Sequence, residues 1–535
     1  MSERFDAVVV GAGFSGLYLI KRLRDAGFSV LAIEAAPSVG GTWYWNAYPG
    51  ARCDVESFDY CYSFSKELED EWDWSERYPG QPELLRYLNH VADRFDLRRD
   101  IRFETRVTSA TYGEADASWT VGLDSGESIE ARFFILAGGA ISMPNFTAIE
   151  GRENFAGQIY HTGTWPHEPI DFTGKRVAVI GTGSSGVQTS TAIADTVAQL
   201  TVFQRTPNYT APVINHPLTP QALEEWRKTS PERHERSRHS RQGIPYPFPT
   251  TAALSVNAEE RDKAYRNAWE NSHLFALRLT YSDLMTDEAA NETVSEFVRG
   301  KIREIVSDPA VAEKLTPRSY PFATKRPCLG KDYYAMFNRD NVRLVDLRET
   351  PIVRITAEGI ETTTAKHPFD AIVFATGFDA LTGAAARIEI TGRDGLTLRQ
   401  AWANGPETYL GLASAGFPNL FLVTGPGSPG PLTAMVKSIE QHVDWITDCL
   451  EHMRTKGCAA IEADPVMQAT WMDHVQQVAD GTLYPRADSW YVGANIPGKP
   501  RRFMPYLGGL GVYRAKCDAI ARDGYTGFDF RVGQS

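Results

Sequence analysis

Two glycine-rich stretches carry the plainest chemistry in the sequence. The first, Gly11-Ala12-Gly13-Phe14-Ser15-Gly16, fits G-x-G-x-x-G. Glycines at these places allow a tight turn, admit a pyrophosphate close to the backbone and let a helix pack near a strand. The free N–H groups and positive dipole end of a helix that starts there suit that pyrophosphate. Glu34 lies 18 residues beyond Gly16, where a carboxylate can accept hydrogen bonds from a ribose diol. The competing reading is a glycine turn with no ligand.

The second stretch, Gly181-Thr182-Gly183-Ser184-Ser185-Gly186, repeats the pattern. No acid occupies the matching downstream place, where Arg205 and Thr206 stand instead. An Arg there suits a ribose 2′-phosphate, and a carboxylate would repel one. The first site is therefore expected to hold an adenine dinucleotide with a free ribose, and the second to prefer NADPH over NADH. Two such sites in one chain imply hydride transfer from nicotinamide to a flavin, which can also react with O2. FAD and NADPH are the expected cofactors. A disulfide reductase would carry a Cys-x4-Cys dithiol after the first helix. This chain has only Cys53 and Cys61 there, eight positions apart.

The elements needed to place these loops are legible. Residues 5–10 (Phe-Asp-Ala-Val-Val-Val) read as a buried strand, a helix runs to about Ala26, and 29–34 read as the next strand. A second βαβ unit starts at 176–180 and returns at 200–204, so parallel sheets are expected. Alternating segments between 100 and 137 suggest an antiparallel meander. Residues 218–316 read mostly as helices, strand signals return at 371–375 and 420–423, and helices are expected over roughly 435–455 and 464–479. The fold class is thus α/β, with two Rossmann-like dinucleotide-binding domains and a helical insertion. The expected division is a discontinuous FAD domain (1–140 and 386–535), an NADPH domain (151–217 and 325–385) and the insertion (218–324).

Composition narrows the partners. A 535-residue chain is too long for one ordinary core. Its net charge of −12 argues against nonspecific binding to nucleic acid or anionic membrane. No apolar run is long enough for a membrane span, and Met1 to Phe5 leave no room for a signal peptide before the first strand, so a cytoplasmic location is expected. None of the six cysteines forms Cys-x-x-Cys, so no metal site is expected and each thiol reads as a small buried side chain. Oligomeric state is not legible, and a monomer is compatible.

Two further motifs lie beside the loops. Phe155, Gly157, His161, Trp165 and Pro166 fit F-x-G-x-x-x-H-x-x-x-W-P, and Gly41, Trp43, Tyr48, Pro49, Gly50 and Asp54 fit G-x-W-x4-Y-P-G-x3-D. On these motifs the chain resembles the Baeyer–Villiger monooxygenases of the single-chain FAD and NADPH type. The likeness runs on through Ala375-Thr376-Gly377, Gly425–Pro429 and Ser489–Lys499, and is strongest at Gly50–Ser57 and Gly498–Pro505.

The resemblance implies conversion of a ketone (aryl-alkyl, linear, cyclic or steroid) to an ester or lactone with O2 and NADPH, through a C4a-peroxyflavin, with sulfoxidation as a side activity. It places Arg326 where negative charge develops and Asp54 against it, and these are the catalytic candidates. It places Lys325 near the NADPH phosphate with Arg205 and Thr206. The fingerprint, as a linker between domains, is expected to use His161 for hydrogen bonding during cofactor movement and not as a base. Trp43, Tyr60 and Trp490 are candidates near the cofactors, and Leu432 and Met435 near the substrate, although aromatics and Met more often fill core. Departures at Ala47, Ala140-Ile141 and Gly430-Pro431 bear on the pocket and so on which ketone is preferred. The rival readings are an N- or S-oxygenating flavin monooxygenase, whose related fingerprint usually lacks the Trp-Pro ending, and a non-catalytic NADPH sensor.

Overall fold

The computed structural model describes residues 3–271 and 273–532. Strand Glu3–Val10, helix Phe14–Asp25 and strand Val30–Ile33 form the first βαβ unit, with the two strands parallel and Val10 opposite Ile33. The near-continuous apolar run Ala7–Val9 is what a strand covered on both faces requires, and all three residues are buried. The meander is also present. Strands Val107–Gly113, Ser118–Leu123 and Ser128–Leu136 pair antiparallel in sequence. Its last strand lies parallel to Glu3–Val10 and extends the same sheet, with Leu420–Leu422 and Glu389–Thr391 added by later parts of the chain. The first sheet is therefore built from two distant parts of the sequence.

The second sheet has five parallel strands in the order 342–346, 199–204, 176–180, 371–374, 158–161. Helix Ser184–Ile193 connects its central pair. The fingerprint segment contributes strand Gln158–His161 to the edge of this sheet, with His161 opposite Phe374. It is thus held by a ladder of backbone hydrogen bonds.

Helices between the two halves of the second sheet start on local caps. Thr219, Asn257 and Asp287 each accept a backbone N–H in the first turn of helices Pro220–His239, Ala258–Glu270 and Glu288–Ile305. Helix Pro220–His239 packs Leu223 and Trp226 into the core of the first region, whereas Tyr265, Val294, Val298 and Ile302 join the core of the second. Near the C-terminus, helix Met435–Lys456 ends on Gly457 in the left-handed conformation (φ 65°) and packs along helix Phe14–Asp25. Among the described residues no helix is long and apolar enough to cross a membrane.

Candidate functional site

Each glycine loop lies between a strand end and a helix start, as the spacing requires. Gly11 has φ 104°, and a Cβ there would come within 2.8 Å of the Ala137 carbonyl oxygen. A Cβ on Gly16 would fall 1.9 Å from the Gly11 carbonyl oxygen, so helix and strand close only around glycine. The second loop repeats this, with a Gly186 Cβ 2.1 Å from the Gly181 carbonyl oxygen. Gly183 differs, because a Cβ there would meet no protein atom within 4 Å. Neither helix has a side-chain cap, since Gly13 and Gly183 occupy the cap positions. The first-turn N–H groups are thus left to an outside acceptor, the arrangement that a pyrophosphate fits.

Glu34 is buried, and its two carboxylate oxygens accept the Ala12 N–H at 2.7 Å and the Ala36 N–H at 2.8 Å. Burial pushes this carboxyl up from its ordinary range, opposed by those two N–H bonds. The expected role of Glu34 at a ribose gains a second part: it ties the first loop to the end of the second strand. Gly41 takes φ 52° with its backbone against Gly13, so the Gly41 motif is packed directly on the loop. Trp43 is buried and donates its indole N–H to the Tyr60 hydroxyl at 3.3 Å. Burial holds the Tyr60 phenol well above its usual range, so the hydroxyl stays protonated.

At the second loop the Thr182 hydroxyl donates to the Thr206 carbonyl at 2.8 Å, and the Ser185 hydroxyl accepts from Thr162. Arg205 is exposed, and neither it nor Lys325 makes an ion pair among the described residues. Burial, and after it the positive charge of Arg205, lowers the Lys325 ammonium from its ordinary range. Lys325 also sits 4.8 Å from the centre of the Tyr320 ring. Asp488 acts on Lys325 more weakly than Arg205 does, and two cations gathered without an ion-paired carboxylate suit a phosphate.

His161 is 1 % exposed. Its Nδ1 accepts the Gly163 N–H at 2.9 Å, which puts the ring proton on Nε2, 3.4 Å from the Thr376 hydroxyl. Burial lowers the imidazole to about 4, so it is neutral at ordinary pH. The backbone N–H of Trp165 donates to the Trp45 carbonyl, joining the fingerprint to the short helix Thr42–Trp45. Phe155 packs beside Gly157, and Pro166 lines a groove of about 810 Å³ with Ala47 and Trp165. That groove contains neither glycine loop nor Arg326.

The Arg326 guanidinium meets Asp54 through two parallel bonds, Nε to Oδ2 and Nη2 to Oδ1, both 2.8 Å. Its Nη1 donates to the Pro431 carbonyl at 2.7 Å. Burial works against the charged form, but Asp54's charge and hydrogen bonds outweigh it and raise Arg326 above its already high range. Arg326 lines a small cavity with Leu432, Leu274, Phe275 and Tyr491. Met435 starts its helix against the first core and does not line this cavity, and Trp490 packs beside it with its ring 4.2 Å from that of Tyr491. Tyr491 is one of the cavity residues that sequence reasoning missed. Its only signal was adjacency to Trp490.

Comparison with known proteins fits this geometry. The family model described as pyridine nucleotide-disulphide oxidoreductase matches residues 8–240. The chain is 42% identical to a Baeyer-Villiger monooxygenase of Pseudooceanicola batsensis over 98% of this chain and 95% of that one. The chain belongs to the Baeyer–Villiger monooxygenase family. It is also 42% identical to the phenazine N-monooxygenase PhzNO1 of Lysobacter antibioticus, over 98% of this chain and 96% of that one. Among solved structures, oxidized steroid monooxygenase bound to NADP superposes with a TM-score of 0.95 at 50% identity, covering 99% of this chain and 100% of that one. Membership accounts for the two glycine loops and for both motifs. The matched model's dithiol chemistry has no counterpart at the expected spacing, since Cys53 and Cys61 are free and buried.

Proposed function

We propose that this Baeyer–Villiger monooxygenase binds FAD at the Gly11 loop and NADPH at the Gly181 loop, and converts a small ketone and O2 to an ester or lactone. The observation that carries the proposal is a guanidinium fixed by a two-bond carboxylate pair at the wall of an apolar cavity. Flavin, when bound and reduced by NADPH, supplies one oxygen atom from O2 to the substrate.

The chain's own residues do the rest. Arg326 stays protonated at any working pH and stabilises the negative charge that develops on the ketone oxygen. Asp54 holds that fork in a single orientation, and the Pro431 carbonyl fixes its third nitrogen. Leu274, Phe275 and Leu432 exclude water around the charge, which strengthens the interaction. Arg205 and Lys325 recognise the NADPH phosphate. His161, neutral and hydrogen-bonded through Nδ1, orients the turn at Gly163 and takes no proton from substrate. The same reading assigns residues 1–140 and 386–535 to FAD, and 151–217 and 325–385 to NADPH. It makes the protein a cytoplasmic enzyme of small molecules, with no nucleic acid or membrane partner.

The test is incubation of the FAD-loaded protein with NADPH, ¹⁸O2 and a panel of neutral ketones: phenylacetone, cyclohexanone, a long linear ketone and progesterone. An ester or lactone carrying one ¹⁸O is expected from at least one of them. NADPH consumption with no ester from any ketone would sink the proposal. A second reading, N-oxygenation, is favoured by the likeness to the phenazine N-monooxygenase, and phenazines belong in the same assay. An N-oxide without any ester would select it.

A further inference from the structure

The cavity beside Arg326 contains a second guanidinium, that of Arg278. Among the described residues Arg278 makes no hydrogen bond and no ion pair, and its Nε is buried without a partner. Its visible contact is with the Tyr484 ring, 5.8 Å from the ring centre. Arg278 is half-buried, but buried donors such as its Nε are nearly always satisfied, so an orphan of this kind calls for a partner.

The surroundings sharpen the point. Leu274, Phe275 and Leu432 give the cavity apolar walls, with Arg326 and Arg278 as its two charged groups. Tyr491 lines the cavity with them, and the charges of both guanidiniums act on its phenol. A further arginine, Arg241, feels the Arg278 charge as well. Arg241 donates to the Leu507 carbonyl at 3.2 Å and stacks on Phe248, and it too has no carboxylate partner. Arg326 is neutralised by Asp54. Arg278 is not neutralised by any described residue.

We propose that Arg278 is a substrate-recognition residue, and that the preferred substrate is a ketone carrying an anionic group, its carbonyl at Arg326 and its anion at Arg278. This rests on the ketone reading above. A carboxylate matches the guanidinium fork through two parallel bonds, and a phosphate or phosphonate offers the same chemistry. The apolar walls between the two groups call for a hydrocarbon spacer.

The experiment uses the FAD-loaded enzyme with NADPH and a series of methyl-ketone carboxylic acids of increasing chain length, each beside its methyl ester and its phosphonate analogue. At one chain length the acid is expected to exceed the ester in kcat/KM by about 10–100-fold, the range for gaining a charge-assisted partner. Arg278→Met and Arg278→Gln should bring that ratio close to one, and Arg278→Lys should keep only part of it. A like preference for the phosphonate assigns the site to anions in general, and its absence assigns it to carboxylates.

Equal use of acid and ester at every length would overturn the proposal, as would a preference that survives Arg278→Met. A raised NADPH requirement in Arg278→Met with the acid-to-ester ratio unchanged would also overturn it, by moving Arg278 to the cofactor. In each case neutral ketones would still yield esters. Loss of ester from every ketone in the wild-type enzyme would instead sink the underlying reaction.

Discussion

Arg326 and Asp54, 272 positions apart in sequence, face each other through two parallel hydrogen bonds of 2.8 Å. The pair spans the two nucleotide-binding regions, because Asp54 follows the first glycine loop and Arg326 lies between strands of the second sheet. A mobile cation would need to reorganise when charge develops on substrate, and a clamped one does not. Arg326→Ala is therefore expected to leave flavin reduction by NADPH intact while lowering ester formation by about 10²–10³ or more. Stopped-flow absorbance of the flavin, read beside product analysis, separates the two steps. Normal ester yield from Arg326→Ala would remove the residue from this role. Arg326→Lys should fare little better, since an ammonium cannot make the two-bond contact with Asp54.

Arg205 and Lys325 should act on cofactor choice alone. On the proposed placement of NADPH, removing either cation withdraws a charged partner from a phosphate that NADH lacks. Arg205→Ala is expected to raise the NADPH KM by roughly 10–100-fold and the NADH KM little. Steady-state kinetics with both cofactors decide this, and equal effects on both would contradict it.

Much of this was legible in the sequence because it rests on local rules. The glycine loops and their flanking strands sit at fixed spacings, and the structure gives the loop glycines steric reasons. The cavity was not legible. Its walls come from Leu274–Arg278, Arg326, Leu432 and Tyr484–Tyr491, four separate stretches with no shared periodicity. Tyr491 and Arg278 gain meaning only when those stretches meet. Glu34 was read for a ribose, and its bonds to Ala12 and Ala36 could not be read from spacing. The fingerprint was expected as a linker between domains; that the backbone of Gln158–His161 pairs with a neighbouring strand is something side-chain spacing does not reveal.

Two buried histidines, His161 and His442, and the half-buried His273 should make the fold sensitive to acid. Burial lowers His161 and His273 to about 4 and His442 to about 3. Each folded value lies below the unfolded one, near 6.5. The unfolded chain therefore takes up protons first as pH falls, and stability is lost between about 6.5 and 3. His442 is fully buried, accepting the Thr424 N–H at Nδ1 and meeting the Tyr513 hydroxyl at Nε2. His442→Asn should be less stable at neutral pH but show a shallower fall in acid. Urea midpoints from pH 7.5 to 4.5 test this, and an unchanged slope would mean that His442 charges in the folded state.

The loop glycines offer a last contrast, because two members of one motif should fail differently. A methyl group on Gly186 would strike the Gly181 carbonyl oxygen at 2.1 Å, a backbone atom that cannot step aside. Gly186→Ala is thus expected to lower the melting temperature. Gly183 sits at φ −77°, which alanine adopts readily, and its methyl would enter space that no protein atom occupies. Gly183→Ala should therefore fold normally and bind FAD as before, while needing far more NADPH, because the added methyl occupies the approach of the pyrophosphate. Flavin absorbance, thermal melting and the NADPH KM measured together distinguish the two. If Gly183→Ala kept the wild-type NADPH requirement, the cofactor would have to lie elsewhere on the second sheet, and the roles given to Arg205 and Lys325 would fall with it.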